Sequence, residues 1–273
     1  MTELAINVVI PTYNRAEFLR AAIASVLNQT FRNVELIVVD DGSTDHTADV
    51  IRSFGSSRIV HLARERSGNL SMLRNAGIRQ CSCPLVAFLD SDDLWREDKL
   101  EVQTGLLNSD LSAGFVISGY EIFGPIGLER TKLYGKQSGM SVEAIFDDLI
   151  RGRITLCSSS ILIRRKLIDQ IGLLNENLRS GDYEFYTRLA WQAPAGIVHE
   201  PLVRVRKHEG NFSLQLDAEG LEEAIYAVRR FYALGIIGQD IRDDRLAKYE
   251  AELANILSRR MYNRRQEAPK TSE

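Results

Sequence analysis

The stretch Val86-Ala87-Phe88-Leu89-Asp90-Ser91-Asp92-Asp93 constrains the fold more than any other part of the chain. Four apolar residues bounded by polar ones read as a buried central parallel strand, and that strand runs directly into three carboxylates. In open α/β sheets, ligands gather beyond the carboxyl ends of the strands. Asp90 and Asp92 are two apart, so extended backbone points them to one side. Two hard oxygen donors so placed suit a divalent cation that keeps positions open for a ligand's phosphates. The competing reading makes Asp92 or Asp93 the cap of a helix starting near Leu94. A cap needs one carboxylate, and three packed together repel one another unless a cation is present.

The residues before this stretch alternate strand and helix. Ala5 to Ile10 is an apolar run broken only by Asn7, and it stops at Pro11-Thr12-Tyr13-Asn14. Asn14 with Glu17 predicts a capping box. Phe18, Leu19, Ala22, Ile23, Val26 and Leu27 then recur at helical spacing. Leu36 to Val39 is a second buried strand ending in acids, Asp40-Asp41, followed by Gly42-Ser43-Thr44-Asp45. The glycine permits a sharp turn and the hydroxyls can cap a helix through Val50 and Ile51. Ile59 to Leu62 is a third strand, Asn69 precedes a helix from Leu70 to Arg79, and Leu85 to Leu89 is the fourth strand. This order predicts a parallel, doubly wound sheet with right-handed crossovers. If the strands are neighbours, Thr12-Tyr13, Asp40-Asp41 and Asp90 to Asp93 converge on one edge. No glycine-rich fingerprint follows the first strand, and no Walker A motif is present. The pocket therefore suits a nucleotide whose diphosphate is held by a metal rather than by a glycine loop.

Composition narrows the partners. The 273 residues suffice for one large domain with an appendage or for two small ones. With 44% hydrophobic and 26% charged residues, the chain is of ordinary globular character and not one of long disorder. Its net charge of -3 leaves no surplus of cations to neutralise a phosphate backbone, so nucleic acid is not the expected partner. The three cysteines, Cys81, Cys83 and Cys157, are an odd, sparse set that suggests reduced thiols in a cytosolic protein. Cys81-Ser82-Cys83 lacks the second ligand pair of a zinc site. The N-terminal residues carry no basic, long apolar signal, and no uninterrupted apolar window is long enough to span a bilayer. The expectation is a cytoplasmic chain.

Several motifs together resemble the family 2 glycosyltransferases of GT-A fold. They are Val8-Val9-Ile10-Pro11-Thr12-Tyr13-Asn14-Arg15, Ser25-Val26-Leu27-Asn28-Gln29-Thr30, Glu35 through Asp45, Arg74-Asn75-Ala76-Gly77-Ile78 and Phe88 through Asp93. Each is modest alone; their order is specific, and the resemblance covers about residues 5 to 210. It implies an α/β, Rossmann-like nucleotide-diphospho-sugar transferase fold with a mixed central sheet over residues 1–213, divided into a nucleotide-binding half (1–110) and an acceptor half (111–213). Residues 214–273 would form a helical extension. By the same resemblance, Pro11, Thr12 and Tyr13 would line the base pocket, and Asp40 would accept a hydrogen bond from a ring N–H. A carboxylate only accepts, so it suits a base edge that donates; uracil, thymine and guanine all present such an edge. Arg74 would lie near the nucleotide or its phosphates, where a guanidinium makes forked contacts. The alternative is a solvated helix arginine. Asp90 would reach the ribose and Asp92 the metal, Mn²⁺ or Mg²⁺, as in the family's DxD motif. Asp41 is either a ligand or a turn carboxylate bonding nearby backbone amides.

Downstream, a helix is expected from Glu97 to Leu107, with strand-like runs at Gly114 to Phe123 and Gly127 to Tyr134. A loop follows at Gly135 to Gly139, then a helix at Ser141 to Ile150, a strand at Ser158 to Arg164, and a short helix from Arg165 to Ile171 ending at Gly172. Ser180-Gly181-Asp182-Tyr183-Glu184-Phe185-Tyr186-Thr187-Arg188-Leu189 resembles the family's acidic motif before a helix, which usually reads Glu-Asp. Gly181 departs from it and leaves Asp182 as the carboxylate matching the catalytic base. The plainer reading makes Asp182 or Ser180 an N-cap and Glu184 a surface acid. A base here would take the acceptor hydroxyl's proton as that oxygen attacks the anomeric carbon, so positioning counts for more than ground-state pKa. Pro201 to Arg206 reads as a strand, and Lys207 to Ser213 resembles a family segment near the phosphates. His208 would there be a further metal ligand or touch the diphosphate; a lone loop histidine is the bland alternative.

Beyond Leu214 the resemblance fades. Leu221, Ala224, Ile225, Val228, Phe231 and Tyr232 keep helical spacing, a second helix runs from Arg245 to Met261, and Gln266 to Glu273 reads as a frayed tail. Arg259-Arg260 and Arg264-Arg265 make its end basic: a solvated helix or homodimer contact on the plain reading, peripheral attraction to anionic lipid at the inner membrane face on the sharper one. The resulting expectation is an inverting, metal-dependent glycosyltransferase. It would take a nucleotide-sugar donor and a carbohydrate or lipid-linked saccharide acceptor in cell-surface polysaccharide or glycolipid synthesis. Two rivals are a sugar-phosphate nucleotidyltransferase, which would need a glycine-rich basic loop after the first strand, and a non-catalytic nucleotide-sugar binder, which Gly181 keeps open.

Overall fold

The computed structural model describes residues 4–126, 129–134, 139–212 and 217–267, with side chains of 217 and 261–267 excepted. Of the expected features, the loop at 135–139 (Gly139 apart), the end of the segment from Lys207 to Ser213 and the tail from 268 lie outside the described residues.

The first hundred residues alternate as expected: β1 (Ile6–Thr12), α1 (Ala16–Leu27), β2 (Val34–Asp40), α2 (Thr47–Ser53), β3 (Ile59–Ala63), α3 (Leu70–Gln80) and β4 (Leu85–Phe88). β1 pairs in parallel with both β2 and β4, and β2 with β3. These strands are apolar on both faces because both faces are covered, which is how parallel sheets survive in water. α3 packs on β1 and β2. Gly77 makes that approach possible, since a Cβ there would overlap the Val9 side chain. The Asn69 side chain caps α3 by accepting from Met72 N at 2.9 Å.

The Asn14–Glu17 capping box does not form. α1 begins after Arg15, which makes no side-chain cap, and Asn14 takes a positive φ of 47°. Its Oδ1 accepts from Thr44 N at 2.8 Å, and Asp45 Oδ2 accepts from Ala16 N at 3.1 Å. The helix start is thus satisfied from the neighbouring loop, by a partner 29 residues away that local spacing does not reveal.

The second half turns the sheet mixed. It comprises β5 (Leu94–Trp95), α4 (Lys99–Ser109), β6 (Phe115–Phe123), β7 (Arg130–Lys132), β8 (Met140–Glu143), α5 (Phe146–Ile150), β9 (Leu162–Arg164), α6 (Arg165–Ile171), α7 (Asp182–Gln192) and β10 (Ala195–Arg206). The strand order is β3-β2-β1-β4-β9-β6-β10-β5, with β7 on β6 and β8 on β10. β9 runs antiparallel to both β4 and β6, while β10 runs parallel to β6.

Four local expectations fail here. No helix starts at Leu94, because Leu94 and Trp95 pair with Arg204 and Val203. Ser141 is not helical, because Met140–Glu143 pair with β10. Ser158–Ser160 form a 3-10 turn rather than the start of a strand. β10 begins at Ala195, six residues before Pro201, and Pro201 sits at a register irregularity, where a residue lacking N–H is tolerated.

Lys99 is fully buried, donates to Gln103 Oε1 at 2.7 Å and lies 4.0 Å from the Trp95 ring centre. Burial pushes its pKa down to about 7. An unfolded lysine holds its proton to about pH 10, so between pH 7 and 10 the unfolded chain binds the extra proton and stability rises with pH. The expected gain is about 2 kcal/mol from pH 7 to 9 in urea melts, and Lys99→Met should abolish that slope.

Residues Met1–Glu209 and Gly210–Glu273 form two compact units. In the second, α8 (Asp217–Ala233) and α9 (Gln239–Glu267) pack together, with Ala227, Val228 and Phe231 buried. No helix among the described residues is long and apolar enough to cross a membrane.

Candidate active site

Because β1, β2 and β4 are parallel neighbours, their carboxyl ends open on one edge. Thr12 lies in register with Asp40, and the chain leaves β4 through Leu89 into Asp90. The topology alone therefore gathers the residues expected at the nucleotide.

The centre of the site is Arg74, from α3. Its side chain is fully buried, which removes the solvated reading. One guanidinium nitrogen, Nη1, pairs with Asp182, and Nη2 donates to Asp90 Oδ1 at 3.0 Å. A planar fork can hold two carboxylates at once, which an ammonium cannot do with the same geometry. Burial works against the charge on Arg74, but Asp182 and the other neighbouring acids outweigh it and hold the guanidinium above the usual arginine range. Asp182 opens α7, and its second oxygen, Oδ2, accepts from Ser158 Oγ at 3.0 Å. Glu184 is no surface acid: it is buried and holds Arg188 through two contacts, at 2.8 and 2.9 Å.

The Ser158–Ser160 turn ties the two acidic segments together. Ser159 Oγ donates to Asp93 Oδ2 at 2.7 Å and accepts from Asp90 N at 3.1 Å. Asp93 also accepts from Arg206 N at 2.9 Å, so it anchors β10 and caps no helix. Asp92 Oδ2 lies 3.0 Å from His208 Nε2, its carbonyl accepts from Arg206 Nε at 3.0 Å, and it caps no helix either. Desolvation, with Asp92 and Asp182 adding to it against Arg74, pushes the Asp90 carboxyl up to about 6. Burial, with Asp92 and Asp90 adding, raises Asp93 well above the usual carboxylate range.

This crowding of acids around one arginine is the setting in which a cation is useful. Among the described residues no group of three or more His, Cys, Asp and Glu side chains converges as a ready-made cage. Half-buried Asp92 and buried His208 nevertheless form an oxygen–nitrogen pair. Two protein donors fit a cation whose coordination is completed by phosphate oxygens and water.

On the other flank, Asp41 resolves to its structural reading. Fully buried, it accepts from Ser67 N at 2.8 Å, Ser67 Oγ at 2.7 Å and Gly68 N at 2.8 Å, and pairs with Arg66. The Arg66 guanidinium in turn lies 3.6 Å from the centre of the Tyr13 ring, covering one aromatic face of the expected base pocket. Asp40 Oδ1 accepts from Ser43 N at 3.0 Å, and its Oδ2 faces His61 Nε2. Pro11 and Thr12 are buried at the end of β1.

The structure thus brings Asp90, Asp182 and Arg74 into direct contact, joins Asp92 to His208, and sets Thr12 beside Asp40. Sequence reasoning missed Ser158, Ser159, Arg66, His61 and Arg206. Of these only the three-serine run carried any local signal, and it reads as strand. The departure at Gly181 has a local cause: its φ is +66°, and a Cβ there would overlap Ser71 Oγ from α3.

Comparison with known proteins agrees with the geometry. The family model described as glycosyl transferase family 2 matches residues 7–172. An uncharacterised glycosyltransferase of Rickettsia typhi is 32% identical over 212 residues, covering 75% of this chain and 64% of that protein. The chain therefore spans less than two thirds of that relative. The Escherichia coli UDP-Glc:alpha-D-GlcNAc-diphosphoundecaprenol beta-1,3-glucosyltransferase WfgD is 37% identical over 122 residues, 45% of this chain and 48% of WfgD. Among solved structures, S. aureus TarS residues 1–349 in complex with UDP-GlcNAc superposes with a TM-score of 0.69 at 18% identity, covering 91% of this chain and 72% of that one. At that identity the likeness speaks for the fold.

Proposed function

The chain belongs to glycosyl transferase family 2, and on that footing we propose that it transfers a sugar from a nucleoside-diphosphate sugar, with a UDP-sugar favoured, to an acceptor hydroxyl with inversion. The observation that carries this reading is the Arg74 bridge: one buried guanidinium holds both Asp90 and Asp182, the acids this reading assigns to the nucleotide and to the acceptor. The site is thereby tuned at its junction, where donor and acceptor must meet.

Asp182 is the base. Arg74 and Ser158 each occupy one of its oxygens. A carboxylate offers about four lone-pair directions, so it remains able to accept the acceptor hydroxyl's proton. The contacts fix its direction, and near-attack positioning supplies much of the rate. Pro11, Thr12, Tyr13 and Asp40 hold the base, and Asp90 reaches the ribose. Asp92 and His208 would hold Mn²⁺ or Mg²⁺, whose chemistry is to neutralise charge on the departing diphosphate. WfgD, by its name, glucosylates a lipid-linked sugar from UDP-Glc. That supports a carbohydrate or lipid-linked saccharide acceptor and a place in cell-surface polysaccharide or glycolipid synthesis.

The test is a thermal-shift and nucleotide-release panel of UDP-, GDP- and TDP-sugars with and without Mn²⁺. Expected are metal-enhanced binding and slow release of free nucleotide, with Asp92→Asn losing the metal enhancement, about tenfold or more in affinity. Binding indifferent to the cation would remove the metal from the reading. Binding with no release, whatever the acceptor, would leave a non-catalytic binder.

A further inference from the structure

Behind the acids lies a layer of enclosed polar side chains to which the proposed reaction gives no part. Lys99 and Gln103 stand one turn apart on α4, and both are fully buried. Lys99 Nζ donates to Gln103 Oε1 at 2.7 Å and sits 4.0 Å from the centre of the Trp95 ring. Gln103 Nε2 in turn donates to the Ser160 carbonyl at 2.7 Å, and Trp95 Nε1 donates to the Ser159 carbonyl, also at 2.7 Å. Two consecutive carbonyls of the three-serine turn are therefore held, one from α4 and one from β5. The hydroxyls of the same turn meet the acids: Ser158 Oγ donates to Asp182 Oδ2 at 3.0 Å, and Ser159 Oγ donates to Asp93 Oδ2 at 2.7 Å.

We infer that Trp95 and Gln103, with Lys99 bracing both, are positioning residues for sugar transfer: they act through the serine turn to aim Asp182. This rests on the reading of Asp182 as the base and adds to it what keeps that base in place. Peptide units are planar, so holding two successive carbonyls fixes the backbone from which the Ser158 and Ser159 hydroxyls project. Ser159 and Ser160 are fully buried, and an enclosed carbonyl needs a donor that water cannot supply. Lys99 makes sense in the same terms. Between a carbonyl that only accepts and an ammonium that only donates, the Gln103 amide has one orientation, with its NH₂ toward Ser160. A methionine would fill the space of Lys99 without desolvating a charge, but it would leave that amide oxygen unpaired. Base positioning is where such rigidity counts. A displacement of about 1 Å caused by a remote change can cost on the order of a hundredfold in rate.

The experiment is steady-state kinetics of two variants of the full chain, read as nucleotide released across the panel of UDP-, GDP- and TDP-sugars with Mn²⁺. Trp95→Phe keeps the ring and removes only the N–H that Ser159 accepts. Gln103→Glu keeps an oxygen for Lys99 and puts a second acceptor where Ser160 had a donor. Each should lower kcat at least about tenfold while the donor KM moves by about threefold at most. Melting of each variant verifies that the protein assayed is folded. Gln103→Glu retains the Lys99 contact, so it stands in if Trp95→Phe folds poorly. A double-mutant cycle with Asp182→Asn separates positioning from general loosening. Residues that act through Asp182 lose their effect once the base is gone, so the tenfold penalty should shrink to about twofold or less in that background. Wild-type kcat in the folded variants, or an undiminished penalty in the Asp182→Asn background, would overturn the inference and leave the transferase reading standing. If wild type turns over none of the sugars, the transferase reading falls and this inference falls with it.

Discussion

Asp182→Asn is expected to lower sugar transfer about a hundred- to ten-thousand-fold while leaving nucleotide affinity within a few-fold. The amide is nearly isosteric. Its oxygen can still accept from Arg74, and its nitrogen can still meet Ser158 Oγ, which accepts as well as donates. The fold at the start of α7 is therefore kept, and only the capacity to take a proton is lost. Steady-state kinetics should show kcat falling with the donor KM little changed, the pattern of a group needed in the transition state. A variant with full transfer activity would remove Asp182 from the role of base. A parallel loss of nucleotide binding would instead mark it as a structural anchor for Arg74.

The second large effect is on stability. Arg74→Met leaves Asp90 and Asp182 facing each other without the cation that holds them. Breaking a buried pair by removing one partner costs roughly 3–5 kcal/mol. Asp90 and Asp182 keep some solvent access, so about 2–4 kcal/mol is expected here, read as a lowered urea midpoint at neutral pH. Arg74→Lys separates charge from geometry. A single ammonium restores part of the stability, but it cannot reproduce the fork to both carboxylates, so transfer should stay impaired. If Arg74→Lys were as active as wild type, net charge rather than bidentate positioning would be what the site requires.

The architecture expected from the motifs, a mixed-sheet GT-A fold, is the one the structure has. Its first half was legible almost element by element. β1, β2 and β4 announced themselves as apolar runs because both faces are buried, and α1 and α3 by apolar residues at helical spacing. Once those strands are parallel neighbours, Thr12, Asp40 and Asp90 must share an edge, so that convergence was readable too. Errors concentrated after Asp93. Leu94-Trp95, Met140–Glu143 and the first residues of β10 are strands because a partner strand lies beside them, not because their own pattern demands it.

By itself, then, the sequence determined the order of layers, the parallel half of the sheet, and which acids stand at strand ends. Burial imposes a period on neighbouring residues, and a period can be read locally. Only tertiary structure decided what those acids do. Arg74 finds Asp90 16 residues away and Asp182 108 residues away. Asp41 is claimed by Ser67 and Gly68, and the overlap with Ser71 accounts for Gly181. A polar partnership between distant segments carries no period. It is decided only when packing brings the two groups within hydrogen-bond reach and excludes the water that would otherwise satisfy them.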